Sequence, residues 1–169
     1  MSDLTGRMTM SVSATYTKTF SSSNAVFSPN YSVTWTVADG VGANQGDLVY
    51  MAERTLADGI AEELDLYGGL TDAFGDTLNF ARIKAIAIRI TSGASNLIVG
   101  GAAANTFVGW FADATDKLTV PFGGVLLLTS PDATGWAVTD ATADLLKFQH
   151  DGTDTADITY ELTLIGASA

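Results

Sequence analysis

The stretch ARIKAIAIRIT, residues 81–91, carries the strongest strand signal in the middle of the chain. Side chains alternate between the two faces of an extended strand, so Ile86, Ile88 and Ile90 share one face. Ile83 and two alanines fill the other face. Both faces are therefore largely apolar, which is typical of a strand in the centre of a β-sandwich or under a neighbouring subunit.

Two stretches near the N-terminus alternate apolar and hydroxyl side chains. They are RMTMSVSATYT (7–17) and YSVTWTV (31–37), whose apolar positions are Met8, Met10, Val12, Ala14 and Tyr16, and Tyr31, Val33, Trp35 and Val37. This period of two predicts two half-buried strands. We interpret the serine-rich residues 21–30 as a loop, and residues 1–7 as a possible N-terminal arm that could add a strand to a neighbour's sheet edge.

Short apolar runs continue to the C-terminus, separated by turn residues. The predicted strands are DLVYMAERTL, NLIVG, NTFVGWF, KLTVPF, GVLLLTS, GWAVT, DLLKFQ and DITYELTLIG. TLADGIAEELDLYGG fits both the helical and the strand period, and we favour a strand because Gly59 would weaken a helix interior. LTDAFG is interpreted as one helical turn, capped by Thr71 and ended by Gly75.

Together these signals predict one all-β domain spanning residues 1–169. The pattern contains about ten short strands, with turns every 8–12 residues or so and at most one short helical turn. It indicates an antiparallel β-sandwich that is jelly-roll-like. No repeat of fixed period is visible, which disfavours a propeller or a solenoid.

Composition narrows the classes of partner. A net charge of -11 over 169 residues repels phosphate backbones, so we expect no nucleic-acid partner. We expect no membrane partner and synthesis in a cytoplasm, because no signal peptide and no run of about 18 apolar residues occurs. Charged residues make up 16% of the chain against 47% hydrophobic residues, which favours a homo-oligomer whose copies cover part of the surface.

The glycine pair Gly100 and Gly101 could suggest a phosphate-binding loop, but no helix start and no nearby basic residue accompany it. We interpret it as a turn. Trp110 and Phe111 follow in a strand-like run, where neighbouring side chains point to opposite sides. Three alternatives stay open for them: burial of both under a loop, a subunit contact, or a sugar-stacking platform.

Catalytic and metal-binding signals are weak. His150 stands without a nucleophile motif and is interpreted as an exposed turn residue. Asp151, Asp154 and Asp157 form an acidic turn, with a structural calcium ion as the alternative. We therefore predict no catalytic, cofactor or metal residue and no enzyme.

Two basic residues, Arg82 and Lys84, lie at the start of the isoleucine-rich strand. They suit a strand whose beginning is solvated and whose middle is buried. Alternatively, these cations contact the acidic surface of a neighbouring copy.

Several of these stretches also resemble a known family. RTLADGIAEELDLYGGLTDAFGDTLNFARIKAIAIRI, VGGAAANTFVGWF, GGVLLLTSPDATGWAVT and ITYELTLIGAS are similar to small β-rich virion structural proteins of tailed bacteriophages and prophages, over residues 44–168. The resemblance implies a non-enzymatic capsid decoration (cement) protein, commonly a trimer, bound to the major capsid protein on the outer surface of the virion. A tail, fibre or receptor-binding module is the alternative. The resemblance carries over no functional residue.

Overall fold

The protein is built from β-strands joined by turns and loops. The computed structural model describes residues 3–169, in which no helix is long and apolar enough to cross a membrane. The strands in chain order are β1 (Gly6–Ser13), β2 (Tyr16–Thr19), β3 (Asn24–Phe27), β4 (Asn30–Asp39), β5 (Gln45–Gly46), β6 (Leu48–Leu56), β7 (Ala61–Asp65), β8 (Tyr67–Thr71), β9 (Thr77–Asn79), β10 (Arg82–Ser92), β11 (Leu97–Val99), β12 (Leu118–Val120), β13 (Val125–Thr129), β14 (Trp136–Ala137), β15 (Leu145–His150) and β16 (Ile158–Ala167).

Two antiparallel sheets form the body of the molecule. The first sheet has the order β13-β10-β16-β6, with β14 also beside β10, and the second has the order β12-β11-β15-β7. The pairs β6·β16, β7·β15, β10·β13 and β11·β12 are nested inside one another along the chain. This nesting is the arrangement of a long double ribbon rolled into a sandwich, which is a jelly roll.

The predicted all-β sandwich is therefore confirmed, but the strand count is higher than the expected ten or so. Residues 3–169 contain strands up to β16, several of them only two or three residues long. The ambiguous segment after Leu56 is extended, as predicted, in β7 and β8.

The core lies between the two sheets. Ile86, Ile88 and Ile90 of β10 point into it, and β10 pairs on its two sides with β13 and β16. Phe148 of the second sheet stacks on Tyr160 of the first, with ring centroids 5.3 Å apart and an interplanar angle of 24°. The isoleucine-rich stretch at residues 81–91 thus lies in the centre of the first sheet.

Three local predictions are wrong. Residues 107–111 form a loop with a turn at residues 109–110, not the strand predicted for NTFVGWF. The predicted helical turn at LTDAFG is the tip of the β8–β9 hairpin, where Asp72 Oδ1 accepts hydrogen bonds from the backbone N–H groups of Phe74 and Asp76. The predicted loop at residues 21–30 contains β3, which pairs with β2.

We expect Phe148→Ala to lower the free energy of unfolding by about 3–5 kcal/mol, because it removes a fully buried ring that joins the sheets. Phe122→Ala is the matched control, because Phe122 is 55% exposed and should tolerate truncation. Urea unfolding of both variants measures the difference. Equal losses in the two would contradict the assigned core.

Candidate functional site

A long two-stranded ribbon, which we call the arm (residues 6–37), projects from the body. Strands β1 and β4 pair from Gly6↔Val37, and β2 and β3 continue in the same register to Thr19↔Asn24. The backbone N–H of Phe20 donates to the carbonyl of Ser23 at 2.8 Å and closes the tip. At about 3.3 Å per residue, the arm is roughly 43 Å long.

The two faces of the arm differ in chemistry because apolar and hydroxyl residues alternate along both strands. The apolar face consists of Met8, Met10, Val12, Ala14 and Tyr16 on one side and Ala25, Phe27, Pro29, Tyr31, Val33 and Trp35 on the other. The opposite face is rich in serine and threonine, and the hydroxyls of Thr9 and Thr34 lie 3.0 Å apart across it. The arm is thus an amphipathic ribbon.

The base of the arm packs on the chain's own first sheet. Trp35 and Val37 form a buried cluster with Ala85 of β10 and Ile165 of β16 on the outer face of that sheet. The indole Nε1 of Trp35 donates to Asn44 Oδ1 at 3.0 Å, which fixes the ring over the cluster. These contacts anchor the arm to the body.

The arm leaves the body at the edge strand β13. There its apolar face and the sheet line a shallow groove, formed by Met8, Met10, Val33, Trp35, Leu127 and Thr129. Beyond this groove, no other part of residues 3–169 covers the apolar face of the arm, and its side chains are exposed.

The outer half of the arm (residues 12–31) exposes its apolar face. Val12 and Tyr31 are each 57% exposed, Tyr16 is 68% exposed and Phe27 is 66% exposed. This surface is on the order of 600 Å², which reaches the largest apolar patch of a typical monomer. Because an isolated two-stranded ribbon is marginally stable in water, a partner that covers this face would stabilise the arm.

The N-terminal arm predicted at residues 1–7 is a different segment from the ribbon, and its described part lies at the ribbon's base. Residues 1 and 2 lie outside the described part of the chain. Leu4 packs on the cluster at the base, and its backbone N–H donates to Asp39 Oδ1 at 3.1 Å. Arg7 is paired with Thr36 inside β1. The segment that projects is therefore the ribbon, and residues 3–7 belong to its attachment.

Trp110 and Phe111 lie in the loop between β11 and β12, half-buried against the core. Trp110 is the centre of an aromatic cluster, with its ring centroid 5.0 Å from Phe107, 5.6 Å from Phe111 and 5.2 Å from Trp136. Phe111 also closes over Gly100, whose φ of 101° and close approach to the ring require glycine. Gly100 and Gly101 therefore form a turn against which the ring of Phe111 packs.

Arg82 and Lys84, the two predicted cationic contacts, lie in different environments. Lys84 is fully buried, and its ammonium donates to the carbonyls of Gly42, at 3.2 Å, and Asp132. Burial lowers the pKa of Lys84, and the nearby Asp132 opposes that effect. The expectation of a solvated cation at Lys84 is wrong, because two loops converge on it from distant parts of the sequence. Arg82 is partly exposed and donates to the carbonyl of Ala133 at 2.6 Å.

His150 is fully buried, so its interpretation as an exposed turn residue is also wrong. Its Nδ1 accepts hydrogen bonds from the backbone N–H groups of Gly59, at 3.3 Å, and Gly152, at 3.0 Å. Nε2 lies 3.0 Å from the carbonyl of Ala156 and donates to it. The imidazole thus ties the β6–β7 turn to the loop before β16.

The acidic turn uses its carboxylates locally. Asp151 Oδ1 accepts from the Thr153 backbone and hydroxyl, and Oδ2 accepts from Asn96 Nδ2 at 2.6 Å. Asp154 Oδ1 accepts from the backbone N–H of Ala156. Among residues 3–169 no group of acidic, histidine or cysteine side chains is arranged to hold a metal ion.

One charged cluster was not predicted from the sequence. The guanidinium of Arg54 on β6 contacts both carboxylate oxygens of Glu62 on β7, and its Nη1 donates to the Tyr50 hydroxyl at 2.9 Å. The hydroxyl of Tyr160 donates to Glu62 Oε1 at 2.6 Å. Burial opposes ionisation of Glu62, but the bonds from Arg54 and Tyr160 outweigh it and hold its pKa below the ordinary value.

This cluster links the two sheets at one end of the sandwich. Burial, together with the bond to Glu62, raises the pKa of Tyr160 far above its ordinary value. The Tyr160 hydroxyl gives its one hydrogen to Glu62, and both carboxylate oxygens of Glu62 accept hydrogen bonds from Arg54. We therefore assign the cluster a stabilising role.

Comparison of the chain with protein-family models and with curated proteins finds no match.

We expect His150→Ala to lower the free energy of unfolding by about 2–4 kcal/mol, because it removes a fully buried imidazole together with the hydrogen bonds that tie Gly59, Gly152 and Ala156 to it. Asp58→Asn is the control: Asp58 Oδ1 is 3.8 Å from Nδ1, but Nδ1 already accepts two hydrogen bonds. That variant should change stability by less than about 0.5 kcal/mol. Thermal unfolding of both variants tests the assignment, and a large effect of Asp58→Asn would refute it.

Glu62→Gln should destabilise the protein at neutral pH by about 1–3 kcal/mol. Folding lowers the pKa of Glu62, so its ionised carboxylate stabilises the protein at pH values above its unfolded-state pKa. This contribution is lost as the pH falls through the folded-state pKa. The difference in the free energy of unfolding between wild type and Glu62→Gln should therefore become smaller at acid pH. Urea unfolding across the acid range measures it, with exposed Glu63→Gln as the control, and a gap that stays constant would rule out the mechanism.

Proposed function

We propose that this chain is a non-enzymatic structural subunit of a bacteriophage virion. Its site of action is the outer surface of the capsid, where it decorates the lattice of the major capsid protein and stabilises the head. The observation that supports this most is the arm, because a projecting ribbon with an open apolar face suits a subunit that is completed by neighbours.

The fold is compatible with this role. Jelly rolls occur in viral capsid domains, and also in lectins and cupins, so the fold supports a virion role only by analogy. The charge adds a physical argument: a net charge of -11 suits an outer shell better than an interior filled with DNA.

Stabilisation in this proposal comes from burial spread over many copies. Each 100 Å² of apolar surface buried at a junction contributes about 2.5 kcal/mol before the costs of association. Weak contacts repeated around a lattice add through avidity, so no single strong contact is required. A closed trimer is the assembly we propose for the chain itself.

The test is the copy number of the chain in purified particles of the phage or prophage that encodes it. We expect a number close to that of the capsid lattice sites, measured by quantitative mass spectrometry against the major capsid protein. A handful of copies per particle would place the chain in the tail or a fibre instead. Absence from particles would refute the virion proposal.

Arm variants test whether the same surface acts in the virion. Tyr16→Ser with Phe27→Ser removes two exposed rings from the apolar face and should lower particle occupancy. Thr15→Ser with Thr17→Ser is the control, because it alters the opposite face and should leave occupancy unchanged. Equal occupancy for both pairs would exclude the arm from assembly.

A further inference from the structure

The outer face of the first sheet is arranged in cross-strand rows. The arm packs on one of them and reaches the next row only at Leu127 on the edge strand β13. The covered row is Thr129, Ala85, Ile165 and Val49, which lie side by side on β13, β10, β16 and β6. The next row, which we call the open row, is Leu127, Ala87, Thr163 and Met51. Met51 is 73% exposed, so this end of the sheet presents apolar surface to solvent.

A charged row follows the open row on the same face. It contains Arg89, Glu161 and Glu53, together with Val125, which is 69% exposed. Arg89 and Glu161 form an ion pair at 3.6 Å, and Glu53 adds a further carboxylate beside Met51. The face beyond the covered row is thus apolar and acidic.

The arm has the opposite charge. Residues 4–38 contain Arg7 and Lys18 but no aspartate or glutamate, whereas all but one of the 19 acidic residues lie in residues 39–169. Two arms placed face to face would bring like charges together. An arm placed on a body brings opposite charges together, which favours that encounter.

From these observations we propose that the outer half of the arm docks across the open and charged rows of a second copy of this chain. The apolar face of the arm would rest on Met51 and its row, and Lys18 near the tip would approach Glu53 and Glu161. The contact repeats the chemistry that the chain already uses at the base of its own arm, where Trp35 and Val37 pack on Ala85 and Ile165 of the same outer face.

The dimensions agree with this docking. Residues 12–18 of the arm span roughly 20 Å at about 3.3 Å per residue. Four strands spaced about 4.8 Å apart make a sheet of roughly 19 Å. The exposed part of the arm therefore matches the width of the sheet that would receive it.

The area of the contact indicates how stable it is, and the difference between its two surfaces indicates which assembly forms. An arm surface on the order of 600 Å², with a similar area on the sheet, reaches the lower limit of a stable interface. The contact joins two different surfaces, so it is heterologous and closes only as a ring. In a ring each copy donates one arm and receives another, which doubles the buried area per subunit.

The inference rests on the proposed function only in treating the chain as a subunit that works in many copies. Its test uses two variants of the full chain. The arm variant is Tyr16→Ser, Phe27→Ser and Tyr31→Ser, and the face variant is Met51→Lys, which places a cation where the incoming arm carries Lys18. Ile60→Lys is the control for the face variant, because Ile60 is 54% exposed in the β6–β7 turn.

Sedimentation velocity is expected to show an oligomer for wild type and for Ile60→Lys. Each of the two test variants should weaken self-association by about 30-fold or more. Thermal unfolding confirms that the body of each variant is folded. High salt should also weaken the wild-type oligomer, because part of the contact is electrostatic.

Mixing the two variants gives the decisive result. The face variant keeps an intact arm and the arm variant keeps an intact face, so an equimolar mixture should form a one-to-one dimer that neither forms alone. A face variant that remains fully oligomeric, or folded variants that form no mixed dimer, would overturn the inference. Contact between two arms predicts no such rescue.

The outcomes separate this inference from the proposed function. A wild-type monomer that still coats particles would overturn the docking and leave the virion role standing. An oligomer that binds no particle would support the docking and refute the virion role.

Discussion

The structure depends on one constraint: the apolar face of the arm is longer than the surface that its own body offers. The first sheet covers the face near Trp35 and Val37, and the arm then passes the edge strand β13. From Val12 to Tyr31 the same kind of side chain continues over solvent. The apolar face of the arm is thus covered at its base and open over its outer half, where a neighbouring molecule would complete it.

The jelly roll supplies the rigid base that this arm needs. Nested pairing places β10 between two partners and fills the space between the sheets with its isoleucines. His150, Lys84 and the Arg54–Glu62 pair then fasten loops and sheets from positions far apart in the sequence. These polar groups are occupied by the fold itself, which leaves the outer sheet face and the arm as the surfaces available for association.

The sequence predicts strands well where the alternation is strong, but it predicts burial poorly along the same strands. The alternation from Met8 to Tyr16 indicated a strand, and β1 and β2 occupy that segment. The alternation predicts a half-buried apolar face, but Val12 and Tyr16 are exposed, because periodicity does not show whether another part of the chain lies over them. The serines and proline near β3 favoured a loop, whereas pairing with β2 makes the segment extended.

The wrong predictions at single residues have a common physical cause. His150 and Lys84 looked exposed because their neighbours in sequence are turn residues or charges. Their hydrogen-bond partners come from the distant loops around Gly59 and Gly42, which no local pattern reveals. The cluster around Glu62 was missed for the same reason, since Tyr160 reaches it from the last strand.

The central claim is that another copy of the chain covers the outer half of the arm. Hydrogen–deuterium exchange of the backbone amides in residues 12–31, measured across a dilution series, tests it most directly. The claim predicts slow exchange at high concentration that becomes fast on dilution, while the amides of β10 and β16 stay protected throughout. Exchange in the arm that is equally fast at every concentration would contradict it.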